Sequence, residues 1–335
     1  MADSAFLGLV AILILALCFD FVNGFHDTAN AIATSVATRV LSPGWAVTMA
    51  AAMNFLGALS GTAVATTLGK GIVPLELATQ TLVLGALLSA IIWDLVTWYF
   101  GLPSSSSHAL TFSIVGAGIA LAGTGAIQGD GLIKVWQGLG YSPILGFVGA
   151  AGLLMLLRRL FAECSPIRVS AFFGRAQLVS AVYMAFSHGS NDAQKTMGVM
   201  TMALASYYGW SESQWEVPFW VIVAAATAMS LGTAMGGWRI IRTMGMRLAH
   251  LRPIHGFAAE AAAATVIEVS SRLGIPISTT HAISSAILGV GTVQRASAVR
   301  WGVAGNIVMA WVLTIPTCTA MAWAITTGLR LLGGG

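Results

Sequence analysis

The sequence predicts an all-α integral membrane protein of two inverted-topology repeats, residues 1–160 and 161–335. About 10–12 transmembrane segments are expected, including broken helices and hairpins that either re-enter or cross. Three observations carry this expectation. The 335-residue chain is 57% hydrophobic and only 8% charged, with a mean hydropathy of +0.83. A water-facing domain carries roughly 25% charge, so most of this surface faces lipid. The apolar runs are long and lack the alternation of barrel strands. Finally, two polar segments each occur twice, once per half.

The segments follow in order. Residues 5–38 open with an apolar run from Phe6 to Asp20 and continue through a polar cluster. A helix of that length is about 51 Å long at 1.5 Å per residue, too long for a core of about 30 Å. It must tilt, break or fold back, and Gly24 is the natural break. Residues 45–68 and 78–100 are unbroken apolar runs of spanning length. Residues 103–122 start at a proline and read either as a re-entrant hairpin or as a full crossing, and 141–158 complete the half. The second half repeats the scheme: 170–205 with a break near Gly189, 217–237, 257–273, 276–293 and 301–328. The start, Met-Ala-Asp-Ser, lacks a basic region and a cleavage site, so the first run reads as a retained span.

Five segments per half is an odd number, which inverts the second half. The basic residues agree. With both termini outside, the inner loops hold eleven basic residues, among them Arg39, Arg158, Arg242, Arg295 and Arg300, and the outer side holds Lys70, Lys134, Arg272 and Arg330. The positive-inside rule selects this orientation, in a multi-pass protein of the cell (inner) membrane. Equivalent loops differ as inversion requires: 69–77 carries one basic residue and 238–256 carries four. Membrane orientation therefore accounts for the formal charge of +4, and no nucleic-acid partner is expected. Cys18, Cys164 and Cys318 share no ligand spacing, which argues against a disulfide or structural metal framework. No cofactor is expected.

The first repeated segment is Asn23-Gly24-Phe25-His26-Asp27 and its partner His188-Gly189-Ser190-Asn191-Asp192, offset by 165 residues. Asp20, Asp27, Asp94, Asp192, Glu260 and Glu268 all fall within or beside apolar segments. An ionised group at the bilayer centre costs about 2.5–3.5 kcal/mol or more, and marks a functional position by default. If the helices unwind at Gly24 and Gly189, freed carbonyls join Asp27 or Asp192, with Asn30 or Asn191, in an all-oxygen cage for a hard cation. The plainer reading is that each carboxylate caps the next half-helix. Lys195 stands three residues after Asp192, where repeat one has Asn30. It either neutralises Asp192 or offers positive charge to an anion.

The second segment runs from Pro103 through Ser104, Ser105, Ser106 and Ser107 to His108. Its partner runs from Pro276 through Ser278, Thr279 and Thr280 to His281, offset by 173. Proline followed by hydroxyls suits a helix start, and a helix N-terminus is an anion site. Two such ends from inverted halves can face one tetrahedral oxyanion near the midplane; the plainer reading is two capped, buried helices. His26, His108, His188 and His281 lie in the motifs and, with Glu260 and Glu268, are candidates for a proton or coupling role. An intramembrane Ser/His hydrolase is the rival from another class, but no Gly-x-Ser-x-Gly elbow is present. An ion channel is the other rival; duplicated broken helices favour a transporter.

At these residues the chain resembles the inorganic phosphate transporter (PiT) family, bacterial type. The carrying motifs are Asn23-Gly-Phe-His-Asp-Thr-Ala-Asn30, Gly189-Ser-Asn-Asp-Ala-Gln-Lys-Thr196 and the two proline-hydroxyl-histidine segments. The resemblance covers about 5–328 and implies a secondary symporter for inorganic phosphate, in some members as a metal–phosphate complex, usually homodimeric. It assigns Asp27, Asn30, Asn191 and Asp192 to cation binding. It assigns Thr28, Ser104 to Ser107, Gln194, Lys195, Thr196 and Ser278 to Thr280 to phosphate. A sulfate-carrying branch exists. His26 stands where the family pattern has Asn, which leaves the coupling ion open between Na+ and H+.

Overall fold

The computed structural model describes residues 4–333. Twelve α-helices account for nearly all of it: α1 Ser4–Ala37, α2 Pro43–Ala58, α3 Ala63–Lys70, α4 Gln80–Phe100, α5 Ser106–Ala122, α6 Gly129–Leu160, α7 Pro166–Tyr208, α8 Phe219–Met235, α9 Trp238–Ile241, α10 Pro253–Arg272, α11 Thr279–Gln294 and α12 Trp301–Gly333. A π-helical turn, Arg242–Arg247, extends α9. Among the described residues the only extended pairing is an isolated bridge between Ala249 and Val299.

Five helices, α1, α4, α6, α7 and α12, are long and apolar enough to span a membrane by themselves, and two bent pairs raise the number to seven. With the shorter α5, α10 and α11 these account for all ten segments read from the sequence. Large apolar side chains such as Ile14, Trp45, Val148, Phe219, Met309 and Val312 are exposed along the outer helices, as a lipid-facing surface requires.

The helix breaks are not where the sequence places them. α1 runs unbroken through Gly24 and α7 through Gly189, so neither glycine frees main-chain carbonyls. They are close-approach positions instead. A Cβ on Gly24 would collide with the Met229 carbonyl of α8, and one on Gly189 with the Asn54 carbonyl of α2. One break falls inside the segment read as continuous over 45–68, and the other at the end of the segment read over 217–237. α2 and α3 are bent by 72°, and α8 and the α9 helix by 60°. Leu59-Ser60-Gly61-Thr62 and Gly236-Gly237 interrupt those runs, and Gly236 has φ 73°. Gly189→Leu is therefore expected to force α7 off α2. Overpacking of this kind costs about 1–3 kcal/mol, to be read as a lower unfolding temperature in detergent; an unchanged temperature would contradict the close-approach reading.

The repeated proline segments form the turns of two helical hairpins, α4–α5 and α10–α11. Each first helix ends in a Schellman motif on a left-handed glycine. Gly101 (φ 65°) is followed by Leu102, whose N–H donates to the Thr97 carbonyl at 2.9 Å. Gly274 (φ 67°) is followed by Ile275, whose N–H donates to Ser270 at 2.9 Å. Ser105 and Ser278 then cap the return helices, their hydroxyls accepting the N–H of His108 and His281 at 3.3 and 3.1 Å. α5 and α11 have 17 and 16 residues, about 25 Å at 1.5 Å per residue.

Element contacts repeat when the halves are exchanged. α1 packs on α8 as α7 packs on α2; α5 packs on α12 as α11 packs on α6; α4 meets α12 as α10 meets α6. Single contacts repeat as well. Thr243 donates to the Gly101 carbonyl at 2.9 Å, and Thr67 donates to the Gly274 carbonyl at 2.7 Å. The loops sort to two ends. At one, Arg158 reaches the Val293 carbonyl at 2.8 Å and the Arg300 N–H reaches Leu248 at 3.0 Å. At the other, Lys70 reaches Glu212 at 3.3 Å and Arg330 reaches Ala120 at 2.7 Å.

Candidate functional site

Both hairpin tips lie in the interior, held there by the long helices. Trp311 of α12 donates to the Pro103 carbonyl at 3.0 Å. Gly138 of α6 lets the Pro276 carbonyl approach where a Cβ would not fit. The tips touch: Ser107 donates to the Ile277 carbonyl at 3.0 Å. Ser104, Ser105, Ser106, Ser107, Ser278, Thr279 and Thr280 are all buried. Two helix N-termini thus bring seven hydroxyls to one place, with the positive ends of two helix dipoles.

The motifs of α1 and α7 face these tips. Asn30 donates to Thr280 and Thr279 at 2.9 and 3.2 Å. Asn191 donates to the Ile277 carbonyl at 3.1 Å and accepts from Ser271 at 3.1 Å. Asp27 accepts from Ser106 at 3.3 Å, and Asp192 from Thr279 at 3.4 Å. Each half's motif thus contacts a hairpin, and Asn30 reaches the tip of the other half.

The two carboxylates are compensated unequally. His26 Nδ1 lies 2.6 Å from Asp27, and its Nε2 is 3.0 Å from Thr97 and 3.3 Å from Ser104. Asp192 has Lys195 at 2.9 Å, the Asn191 amide at 2.8 Å and His188 Nε2 at 3.4 Å. His188 Nδ1 meets Asn54 at 3.1 Å, and Asn54 in turn donates to Thr233 at 2.8 Å. Lys195 is 1% exposed, so its pairing with Asp192 is what makes a buried ammonium tolerable. Ligand atoms of Asp27, His188 and Asp192 lie within 4.8 Å of one another, a spacing that admits a cation without the unwound-helix cage.

Asp20 and Asp94 are also fully buried. Asp20 and Asp94 lie within electrostatic range of Lys195, as do the rings of His108 and His188, so the buried carboxyl groups of this region outnumber its one ammonium. Ionised together, they oppose an incoming anion, and only added cations or protons reverse that balance.

Other candidates fall elsewhere. Gln194 turns away from the tips and caps α3, accepting the Val64 and Ala65 N–H groups at 2.8 and 3.4 Å. Thr28 donates to the Gly24 carbonyl at 2.7 Å within its own helix. Thr196 is buried beside Asp20. Glu260 sits apart, accepting from Thr34 and Ser180 at 2.5 Å each and from Gln177 at 3.1 Å. Glu268 pairs with Arg272 at 2.8 Å beside a cavity of about 260 Å3, which Ser190 and Ser271 also line. His108 and His281 pack against each other with ring centroids 4.8 Å apart and planes tilted by 51°, and the His281 and Trp311 ring centroids are 3.8 Å apart. Thr97, Asn54 and Ser271 contribute to the site without a motif to announce them. Asn54, a lone amide in an apolar run, is the one with a legible signal.

Residues 23–322 match the phosphate transporter family. The chain belongs to that family. It is 48% identical to a probable low-affinity inorganic phosphate transporter of Rhizobium meliloti (strain 1021), over 96% of each chain. It is 46% identical to one of Bacillus subtilis (strain 168), over 94% of this chain and 96% of that one. Its fold is similar to the solved structure described as the sodium-dependent phosphate transporter, with TM-score 0.88 and 26% identity over 97% and 99% of the two chains. The relatives of this phosphate transporter family member carry a solute and are not enzymes, which removes the intramembrane hydrolase reading. The all-helical membrane fold expected from the sequence is the one observed.

Proposed function

We propose that the protein is a symporter that moves inorganic phosphate together with a cation, Na+ or H+. Alternating access takes place where two inverted repeats, 1–160 and 161–335, meet. The observation that carries this is the composition of the centre: hydroxyls and helix N-termini from both hairpins suit a tetrahedral oxyanion, while the buried carboxyls beside them demand positive charge before an anion can stay. The helix contacts that recur when the halves are exchanged support the repeat reading. Phosphate is assigned to Ser104, Ser105, Ser106, Ser107, Ser278, Thr279 and Thr280, and the cation to Asp27, Asn30, Asn191 and Asp192. Lys195, in this reading, compensates Asp192 and contributes to the field felt by phosphate.

The arginine-rich end faces the cytoplasm and both termini face outward, by the positive-inside rule. The same reading takes two copies to form a homodimer in the inner membrane, which the mass of the purified protein in detergent tests. Uptake of labelled phosphate into proteoliposomes tests the function itself. Uptake driven by an imposed Na+ or pH gradient, and unaffected by excess sulfate, is the expected result. Sulfate that competes at equal concentration would assign the chain to a sulfate carrier, and uptake indifferent to both gradients would contradict symport.

A further inference from the structure

One buried carboxyl beside the site makes no hydrogen bond to either hairpin tip. Asp20 of α1 is 0% exposed, and neither carboxyl oxygen makes a hydrogen bond of ordinary geometry. The polar groups that reach it are the Thr196 hydroxyl of α7 and the Asn23 amide one turn further along α1. Thr196 Oγ1 and both side-chain atoms of Asn23 are likewise unpartnered. Each such orphan costs about 1–3 kcal/mol, and an ionised one more. Lys195 and Asp192 lie within electrostatic range of Asp20, but the ammonium is engaged by Asp192 at 2.9 Å.

The fold does not require this carboxyl. At the 165-residue offset of the first motif, the position equivalent to Asp20 in α7 is Ala185, which is also fully buried. A carboxyl present in one half and replaced by a methyl group in the other is a functional asymmetry.

We propose that Asp20 carries a coupling proton of its own, apart from the cation assigned to Asp27 and Asp192, with Asn23 and Thr196 as its hydrogen-bond partners. The inference rests on the cation-coupled reading above. The donor set selects the ion. A hard metal cation takes a full shell of oxygens, six or more for the common divalent ions, and here one carboxylate, one amide oxygen and one hydroxyl are offered. α1 and α7 are continuous, so no main-chain carbonyl is freed to complete a shell, and the Lys195 ammonium repels a second metal-like charge. A proton needs one acceptor. It passes from water to a carboxylate oxygen of Asp20, forming an O–H bond. That O–H donates to Asn23 Oδ1 while Thr196 donates to the other oxygen, and the proton returns to water on the opposite side. All the orphaned oxygens are then bonded.

The charged groups around Asp20 are few. α7 brings Lys195 and Asp192. α2 and α8, which also pack on α1, contain no titratable residue. α4 brings Asp94, whose charged neighbours are His26, Asp27 and Lys195. α10 brings Glu260, bonded at Thr34 near the far end of α1, and α11 brings His281. α9 meets α1 near Phe25 and brings Arg239, and the π-helical turn meets α1 near Ala33 and Ala37, with Arg242 and Arg247. Loss of the Asp20 proton leaves two carboxylates competing for Lys195, which links proton release to the Asp192 side of the site.

The test uses the full chain in proteoliposomes, with labelled inorganic phosphate and imposed gradients. Wild type is expected to accumulate phosphate under a pH gradient. Asp20→Asn is expected to lose that accumulation while exchange of internal for external phosphate continues, and Asp20→Glu to restore it. Accumulation by Asp20→Asn under the pH gradient would overturn the inference, and so would wild-type accumulation that needs Na+ alone. If Asp20→Asn stops exchange as well, Thr196→Val provides the answer. Removing that donor should move half-maximal accumulation to higher pH than wild type, and an unmoved profile overturns the inference. Wild type that takes up no phosphate under any gradient defeats the transport reading instead.

Discussion

Asp27→Asn is expected to reduce phosphate uptake by about 10- to 100-fold, because it removes the charge that His26 and Ser106 contact at 2.6 and 3.3 Å; hydrogen bonds to charged groups are worth about 1.5–3 kcal/mol. Asp192→Asn should do the same, since Asp192 gathers Lys195, His188, Asn191 and Thr279. The double variant should be no worse than the more severe single one, because in the proposed symport both carboxylates serve one ion-loaded state, and the effects of residues acting as a unit do not add. Initial rates in proteoliposomes measure this. Uptake unchanged by both substitutions would remove Asp27 and Asp192 from the site.

Lys195→Met is expected to damage stability and transport together. The side chain is 1% exposed and its ammonium is 2.9 Å from Asp192. Removing one partner of a buried pair leaves the other uncompensated, at about 3–5 kcal/mol. The unfolding temperature in detergent should fall, and phosphate affinity should weaken because the centre loses its only buried ammonium among the described residues. Lys195→Asn installs the residue that stands at the equivalent position in the first half, Asn30, and should recover part of the packing without the charge. A Lys195→Met protein with wild-type stability and affinity would show that Asp192 is held by other groups.

Much of this arrangement is legible in the sequence, because polar groups in a lipid-solvated chain are few and each must be accounted for. The duplicated Asp segments and proline-hydroxyl tips stand out for that reason, and the structure brings them together. The role of the glycines is not legible. Gly24 and Gly189 sit beside polar residues in over-long segments, which reads as a break; only the Met229 and Asn54 carbonyls opposite them show that they serve close packing. The real break at 59–62 lies in a run whose average hydropathy conceals it, whereas the one at 236–237 coincides with the end of the segment read over 217–237. Gln194 shows a related limit. Its place in the motif suggests substrate contact, whereas the free N–H groups of α3 claim its side chain, and α3 exists only because of the unforeseen bend. Asp20 and Asp94 are visible as intramembrane acids, but nothing in their spacing separates a paired carboxyl from an orphaned one.

In the proposed transporter both hairpin tips build one phosphate site. The most direct measurement is an experimental density map of the protein at saturating phosphate. One tetrahedral feature per chain is expected, between Ser104 to Ser107 and Ser278 to Thr280, within hydrogen-bond distance of hydroxyls from both halves. Phosphate held by one tip alone, or bound only in the cavity beside Lys70 and Lys134 at the end of the bundle, would contradict it.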